Sequence, residues 1–337
     1  MKKAPIFLAP FFQERIWGGS ELKKQYGYNI PSPQTGECWA VSAHPNGQSV
    51  VREGDYTDKT LGELWDEHPE IFGHFDSQKF PLLTKILDAN EDLSIQVHPN
   101  DEYANEFENG EFGKTECWYI LDCKEDATMI FGHRAKSKEE FMNMVKEGHW
   151  GDLLQRVKIK PGDFFYVPSG TIHALCEGTL VLETQQSSDT TYRVYDYNRL
   201  GQDGKLRDLH LKKALDVVSI PHRIATVEPV QQVLQGVTIT TFAEEEYFSV
   251  YKWDVYAECY MKQDTHFIIG SVIEGAGTLH TEADVYPLVK GDHFILPYEL
   301  GNYMIKGQVT IIASHPNYKQ STLHKTFQRN LAQPSLL

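Results

Sequence analysis

Cysteine is sparse in this sequence, and none of it is arranged for a bridge or a metal clip. Five cysteines are scattered over 337 residues, an odd number with no CxxC pair. That argues against a disulfide framework and suits a reducing compartment, so a cytoplasmic protein is expected. Long apolar runs are missing as well. No stretch approaches the ~20 apolar residues that cross a bilayer. Pro5 and Pro10 break the apolar run after Met1-Lys2-Lys3, and Gln13-Glu14-Arg15 follows without a small-residue cleavage site, so no secretory signal is expected. Positive charge is in deficit: 32 Lys and Arg stand against 47 Asp and Glu, a net charge of −15. Such a chain is not expected to bind a nucleic-acid backbone or an anionic membrane. An anionic small molecule would need a locally basic site, for which Lys85, Lys114, Arg193 and Arg199 are available. There is no glycine-rich phosphate loop, no dinucleotide fingerprint and no GxSxG elbow.

What is present describes a folded, β-rich chain. Hydrophobic residues make up 41% and aromatics 12%, enough for a large core, and the length suits two domains. Short runs of β-branched and aromatic residues are divided by Gly, Pro and Asp. Strands are predicted at Leu93–Val97, Trp118–Leu121, Asp163–Val167, Leu180–Thr184, Val237–Thr241 and Phe294–Leu296. Helical patterns are few. One opens at Thr60, a suitable N-cap; a second runs from Lys138 to Leu154; a third runs from Leu209 to Val218 and is stopped by Pro221.

The most informative segment is Ser94-Ile95-Gln96-Val97-His98. On a strand, residues i and i+2 share a face, so Gln96 and His98 point one way beside Ser94, while Ile95 and Val97 enter a core. Glu116 and His173 lie in similarly ordered contexts. Two imidazoles, a carboxylate and an amide oxygen suit zinc or a similar divalent ion and leave a coordination position open.

An internal repeat separates two copies of this plan. Pro161-Gly162-Asp163-Phe164-Phe165-Tyr166-Val167-Pro168 recurs as Lys290-Gly291-Asp292-His293-Phe294-Ile295-Leu296-Pro297, an offset of 129 (161 to 290). Upstream, Ile120-Leu121-Asp122-Cys123 matches Val272-Ile273-Glu274-Gly275, an offset of 152 (120 to 272). The first copy therefore carries 23 additional residues, and the helical stretch Lys138–Leu154 reads as a surface insertion replaceable by a short loop. By these offsets Glu116 falls on Ile268 and His173 on Asn302, so the second copy is expected to hold no metal. Its expected work is to pack against the first copy or to cover the substrate.

The chain resembles the type I phosphomannose isomerases. The resemblance rests on Arg15-Ile16-Trp17-Gly18-Gly19, Gly36-Glu37-Cys38-Trp39, His44-Pro45, Pro81-Leu82-Leu83-Thr84-Lys85 and Ile95-Gln96-Val97-His98-Pro99. It continues through Lys114-Thr115-Glu116, Pro168-Ser169-Gly170-Thr171-Ile172-His173 and Ser187-Ser188-Asp189-Thr190-Thr191-Tyr192-Arg193. The order of these motifs, more than any one, makes the match. A Gly-Asp turn, a strand and then proline also suits the cupin jelly roll. The resemblance implies two tandem cupin barrels in the compact bacterial form, mainly β with small helical insertions near 57–75 and 138–156. The catalytic domain is expected over 1–235 and a metal-free second cupin over 236–337.

The resemblance further implies one Zn2+ per chain on Gln96, His98, Glu116 and His173, and interconversion of mannose 6-phosphate and fructose 6-phosphate through an enediol(ate). It places Lys114 and Arg193 in the active site. Arg193 is read as the stabiliser of the enediolate. Asp189 and Lys114 are candidates for proton transfer, and the sequence does not separate them. If 189–193 is a strand, Asp189 and Arg193 share a face. Lys85, Ser94, Glu37 and Trp39 are candidates for substrate binding, although buried packing explains Glu37 and Trp39 equally well. The partner is a small sugar phosphate, and the chain is expected as a monomer or weak homodimer. Two other readings are an iron or manganese dioxygenase, whose ligand sets are richer in histidine, and a non-catalytic sugar-binding cupin. The Gln ligand favours the isomerase over the first, and the retained Lys114 and Arg193 favour it over the second.

Overall fold

A computed structural model describes residues 3–201, 203–263 and 266–317. The expected second domain therefore has its stretch 318–337 outside the described residues. Strand accounts for 46% and helix for 14%, so the chain is mainly β. The predicted strands are present as Ile95–Val97, Glu116–Cys123, Phe164–Val167, Thr179–Gln186, Val237–Glu244 and His293–Leu296. Helices form at Leu61–Glu67, Lys138–Glu147, Trp150–Leu153 and Leu211–Val217. Thr60 caps the first through a full capping box with Glu63.

The expectation of two tandem cupin barrels is met in part: a cupin-type β framework is present, and no closed barrel is found among the described residues. The strands form a six-stranded sheet, a five-stranded sheet and an open ten-stranded sheet with free ends, plus a two-stranded hairpin. The six-stranded sheet lies between two cores. Cys38, Ala40, Ile86, Cys117, Tyr119, Leu180 and Leu182 on one face pack with Phe242, Phe248, Val250, Ile269, Ile295 and Ile312 of the ten-stranded sheet. Leu87, Ala89, Trp118, Ile120 and Val181 on the other face pack with Met129, Phe131 and Leu175 of the five-stranded sheet. Successive strand residues point to opposite faces, which is why a strand such as Thr179–Gln186 is buried along its whole length.

The repeat is a repeat of register. Phe164 pairs with Tyr119 and Val167 with Glu116. At the same offsets, His293 pairs with Ser271 and Leu296 with Ile268. In the first copy His173 pairs with Gln96, and in the second Asn302 pairs with Lys262. The second copy thus presents Lys262, Ile268 and Asn302 where the first presents Gln96, Glu116 and His173.

Two further expectations change. The division at 235/236 does not follow the sheets. Strands Ile6–Ala9 and Val50–Val51 belong to the same sheet as the C-terminal strands, as does Val230–Leu234. The N-terminal apolar run forms strand Ile6–Ala9, paired with His293–Leu296. The insertion 138–156 is not confined to the surface either. Phe141, Val145 and Leu153 are buried against Ile95, Val97, Ile130, Ala174 and Tyr192 and form the outer core of the five-stranded sheet. Leu61, Trp65, Ile71 and Phe72 of the 57–75 insertion likewise join the core shared by the two copies. Among the described residues no helix is long and apolar enough to cross a membrane.

Candidate metal centre and active site

Two facing sheets supply the site. In the five-stranded sheet Gln96 lies directly between His173 and Arg193, its partners on the neighbouring strands. Ile95 and Val97 turn into the helical core, so Gln96 faces the opposite way, inward. In the six-stranded sheet Glu116 pairs with Gln185, and Trp118, Glu183, Lys85 and Trp39 form a continuous row across four strands. These residues fall on the same face as Leu87, Ile120 and Val181. The inner layer is therefore apolar toward one end and charged toward the other.

At the charged end His98, Glu116 and His173 converge. His98 Nε2 lies 3.5 Å from Glu116 Oε2, and His173 Nε2 lies 3.3 Å from Glu116 Oε1. One ligand atom from each of the three lies within 4.8 Å of the others. Each imidazole is oriented by a backbone carbonyl: Thr190 O is 2.9 Å from His98 Nδ1 and Thr171 O is 2.9 Å from His173 Nδ1. A carbonyl accepts only, so Nδ1 carries the proton in both rings and each Nε2 turns a lone pair into the cluster. Gln96 points its amide nitrogen at His173 Nε2, 3.5 Å away, and its amide oxygen lies 3.5 Å from Ser94 Oγ.

The electrostatics prepare this cluster for a cation. Burial, then the ammonium of Lys114, holds the His98 imidazole well below its ordinary range. The same two causes push His173 down to about 4. Both rings are neutral at pH 7, as metal ligands must be. Neither oxygen of buried Glu116 has a well-aligned hydrogen-bond donor. The Lys114 ammonium sits 2.8 Å from Glu116 Oε2 and 3.0 Å from His98 Nε2. Burial opposes that charge, but Glu116 and Glu183 more than offset it and raise the lysine above its ordinary range. Two neutral imidazoles, a carboxylate short of donors and an adjacent amide fit a divalent ion such as zinc.

A cavity of about 380 Å³ adjoins the cluster, lined by Gln96, Lys114, Lys85, Glu183, Asp189 and Arg193 among others. This volume lies within the ~300–1,000 Å³ of small-molecule sites. Ser94 and Glu37 line it too, while Trp39 is fully buried and does not. The Trp39 indole N–H donates to Glu37 Oε2 at 2.6 Å, and its ring lies 4.7 Å under the Lys85 ammonium. Burial opposes the Glu37 charge, yet Lys85, Arg15 and the Trp39 donor hold its carboxyl at about 2.

Asp189 and Arg193 both line the cavity, but not by sharing a strand face. The strand begins at Tyr192, so Asp189 sits on the preceding loop. Among the described residues no ion pair joins them. Asp189 accepts from Asn46 Nδ2 at 2.9 Å, and Arg193 donates to Asp208 O at 2.8 Å. Arg199 is drawn away to Asp196 and Asp92.

Three charged lining residues escaped the sequence reading. Glu183 carried a usable signal, as the one charge within Thr179–Gln186. Burial, then Glu116, raises its carboxyl above the ordinary range. Arg15 reaches the site through its bond to Glu37, at 2.8 Å. Arg207 sits outside any strand or helix, where no periodicity could reveal it.

Histidines on one sheet facing a carboxylate on the other, in a β framework with a repeated register, are the plan of a cupin metalloenzyme. Residues 6–127 match the catalytic domain of phosphomannose isomerase type I, and residues 238–316 match the cupin domain of mannose-6-phosphate isomerase. The chain is 54% identical over 315 residues to mannose-6-phosphate isomerase ManA of Bacillus subtilis, covering 94% of this chain and all of that protein. It is 50% identical over 313 residues to mannose-6-phosphate isomerase of Streptococcus mutans, covering 93% of this chain and 98% of the other. The crystal structure of mannose 6-phosphate isomerase from Bacillus subtilis superposes with a TM-score of 0.92 at 57% identity, over 93% of this chain and 100% of that one. The chain belongs to the type I phosphomannose isomerases, a metal-dependent family of aldose–ketose isomerases.

Proposed function

We propose that this protein interconverts mannose 6-phosphate and fructose 6-phosphate in the cavity beside His98, Glu116 and His173. The observation that carries the proposal is the convergence of two imidazole lone pairs and a donor-poor carboxylate next to a cavity lined by five cationic side chains: Arg15, Lys85, Lys114, Arg193 and Arg207. His98, Glu116 and His173 would hold a divalent ion, with the Gln96 amide as fourth ligand, and we assign it as zinc. Such an ion supplies Lewis-acid polarisation of a sugar carbonyl or hydroxyl oxygen.

The rest of the work falls to the chain's own groups. Isomerisation moves a proton between C1 and C2, which calls for a positioned base. Glu37 and Glu183 are engaged by cations, at 2.8 Å from Arg15 and 3.9 Å from Lys85 respectively. Among the described carboxylates lining the cavity, Asp189 is the one outside an ion pair. That favours Asp189 as the proton carrier and leaves Lys114 as a fixed positive charge. Arg193 is a permanent cation with a buried Nε that has no partner. It suits stabilisation of negative charge on the enediolate oxygens. Arg207, on the same cavity, suits the phosphate.

The direct test is incubation of pure protein with mannose 6-phosphate, with and without a chelator, following fructose 6-phosphate. Conversion that a chelator abolishes and zinc restores is expected. Conversion unaffected by thorough metal removal would reject the metal assignment. In the same preparation, His98→Ala and His173→Ala should each lose bound metal by elemental analysis.

A further inference from the structure

One fully buried side chain beside the site remains without a role. Gln185 is 0% exposed and lies opposite Glu116 in the sheet register. Its amide nitrogen donates twice, to Gln186 O at 2.8 Å and to Ser188 O at 2.6 Å. Both partners are carbonyls, which accept only, so the NH2 end must face them and the orientation of the amide is set. Its oxygen is buried with no partner. An amide that strands its own acceptor to grip two carbonyls is an inefficient way to fill space, since an apolar residue of that size leaves no orphan.

What the amide grips leads to the metal centre. Ser188 is itself 0% exposed, and its hydroxyl accepts the Thr190 N–H at 3.3 Å. The carbonyl of Thr190 accepts the Nδ1 proton of His98 at 2.9 Å. The Gln185 amide therefore anchors the turn that fixes the tautomer and rotation of a ligating imidazole. Asp189, on the cavity, sits within the same turn.

We propose that Gln185 is a positioning residue for the metal centre, acting on His98 through Ser188 and the Thr190 carbonyl. This rests on the reading that His98, Glu116 and His173 hold the ion. Groups that orient a ligating imidazole typically contribute 10–100-fold in metal affinity. Gln185 acts at one further remove, so a loss of about tenfold is expected, at the low end of that range.

The test uses the full chain and zinc ion as the probe, in competition with a chromophoric chelator. Gln185→Met keeps the volume and removes both donors. Ser188→Ala removes one acceptor and leaves the bonds of Gln185 to the backbone intact, so it carries the test if the larger change disturbs folding. Both should bind zinc about tenfold more weakly. In metal-free protein, imidazole nitrogen NMR should show His98 moving from a single Nδ1–H tautomer to a mixture, a change that loss of packing alone would not produce. His98→Ala is the reference. If it binds zinc as tightly as the parent, the metal assignment itself falls. If it loses zinc while Gln185→Met and Ser188→Ala keep parental affinity and a single His98 tautomer, the positioning role is overturned.

Discussion

Arg193 is the residue whose substitution separates the chemistry of this site from its architecture. Among the described residues its guanidinium makes no hydrogen bond or ion pair with the prospective metal ligands; its Nη1 is anchored by Asp208 O at 2.8 Å. Burial, then the neighbouring Arg207, pushes it below its ordinary range, but a guanidinium stays charged at neutral pH. Arg193→Ala should keep both fold and metal while turnover falls by roughly 10²-fold or more, the usual effect of removing a preorganised charge donor. Arg193→Lys should restore only part, because a compact ammonium does not reproduce a planar fork. If KM rises and kcat holds, the residue grips phosphate instead of stabilising the transition state. The candidate site was legible wherever alternation reached it. Gln96 with His98, and Glu37 with Trp39, are i, i+2 pairs whose common direction follows from the pleat. The wall built by Arg207 was not legible, because a segment without periodicity is placed by tertiary packing alone. The strand expected to carry Asp189 beside Arg193 starts three residues after Asp189, and a spacing argument cannot see where a ladder begins.

Helices show how an element that reads as an addition becomes structural. Lys138–Glu147 has Ser137 as its N-cap and ends on Gly148 in the left-handed region, so its local signals are complete. The repeat offset revealed that the element was extra. It could not reveal that Phe141 and Val145 seal the outer face of the sheet bearing Gln96 and His173. Phe141 is 1% exposed, and Phe141→Ala should cost about 3–5 kcal/mol by urea unfolding, the range for emptying a buried aromatic site. A loss under 1 kcal/mol would return the element to the status of a surface decoration. At the start of Glu21–Tyr26, Asp88 caps the helix from a neighbouring strand, accepting the Glu21 N–H at 2.7 Å. Burial pushes its carboxyl up to about 6 despite that donor. Between about pH 4 and 6 the folded protein holds a proton the unfolded chain has released. Stability therefore falls as pH rises through that window, and the loss is complete above it. Asp88→Asn removes this dependence. Relative to the parent, the variant should gain on the order of 2 kcal/mol between pH 4 and 7 in urea titrations. A pH-independent difference would mean the carboxyl titrates normally.

For the whole molecule, the sheets decide what the linear repeat left open. Two tandem copies suggest two units that unfold independently, the second inert. The chain does not divide that way. Ile6–Ala9 pairs with His293–Leu296 across most of the sequence, and Val50–Val51 extends the same sheet. Trp65, Phe72 and Phe80 from the first copy surround Phe267 of the second, with ring centroids 5.2 to 6.4 Å from it. The outer face of the six-stranded sheet, including Ile86, Cys117 and Leu182, shares one core with Phe242, Phe248, Ile269, Ile295 and Ile312 of the second copy and with Ile6, Leu22, Leu61, Trp65 and Phe72. Its inner face carries Lys85, Glu116 and Glu183. The second copy thus supports the catalytic sheet from behind, although it retains none of the equivalents of Gln96, Glu116 and His173. Calorimetry of the metal-free chain should accordingly give one cooperative transition, with calorimetric and van't Hoff enthalpies in agreement. Truncation after residue 235 should strip the apolar face of the six-stranded sheet and leave Ile6–Ala9 without its partner strand, an exposed edge of the kind that aggregates. The expected product is insoluble or unfolded, with no zinc-binding capacity. Two resolved transitions, or a soluble 1–235 fragment that binds zinc as the full chain does, would show that the copies are separable and that the shared core is an accessory to a self-sufficient catalytic unit.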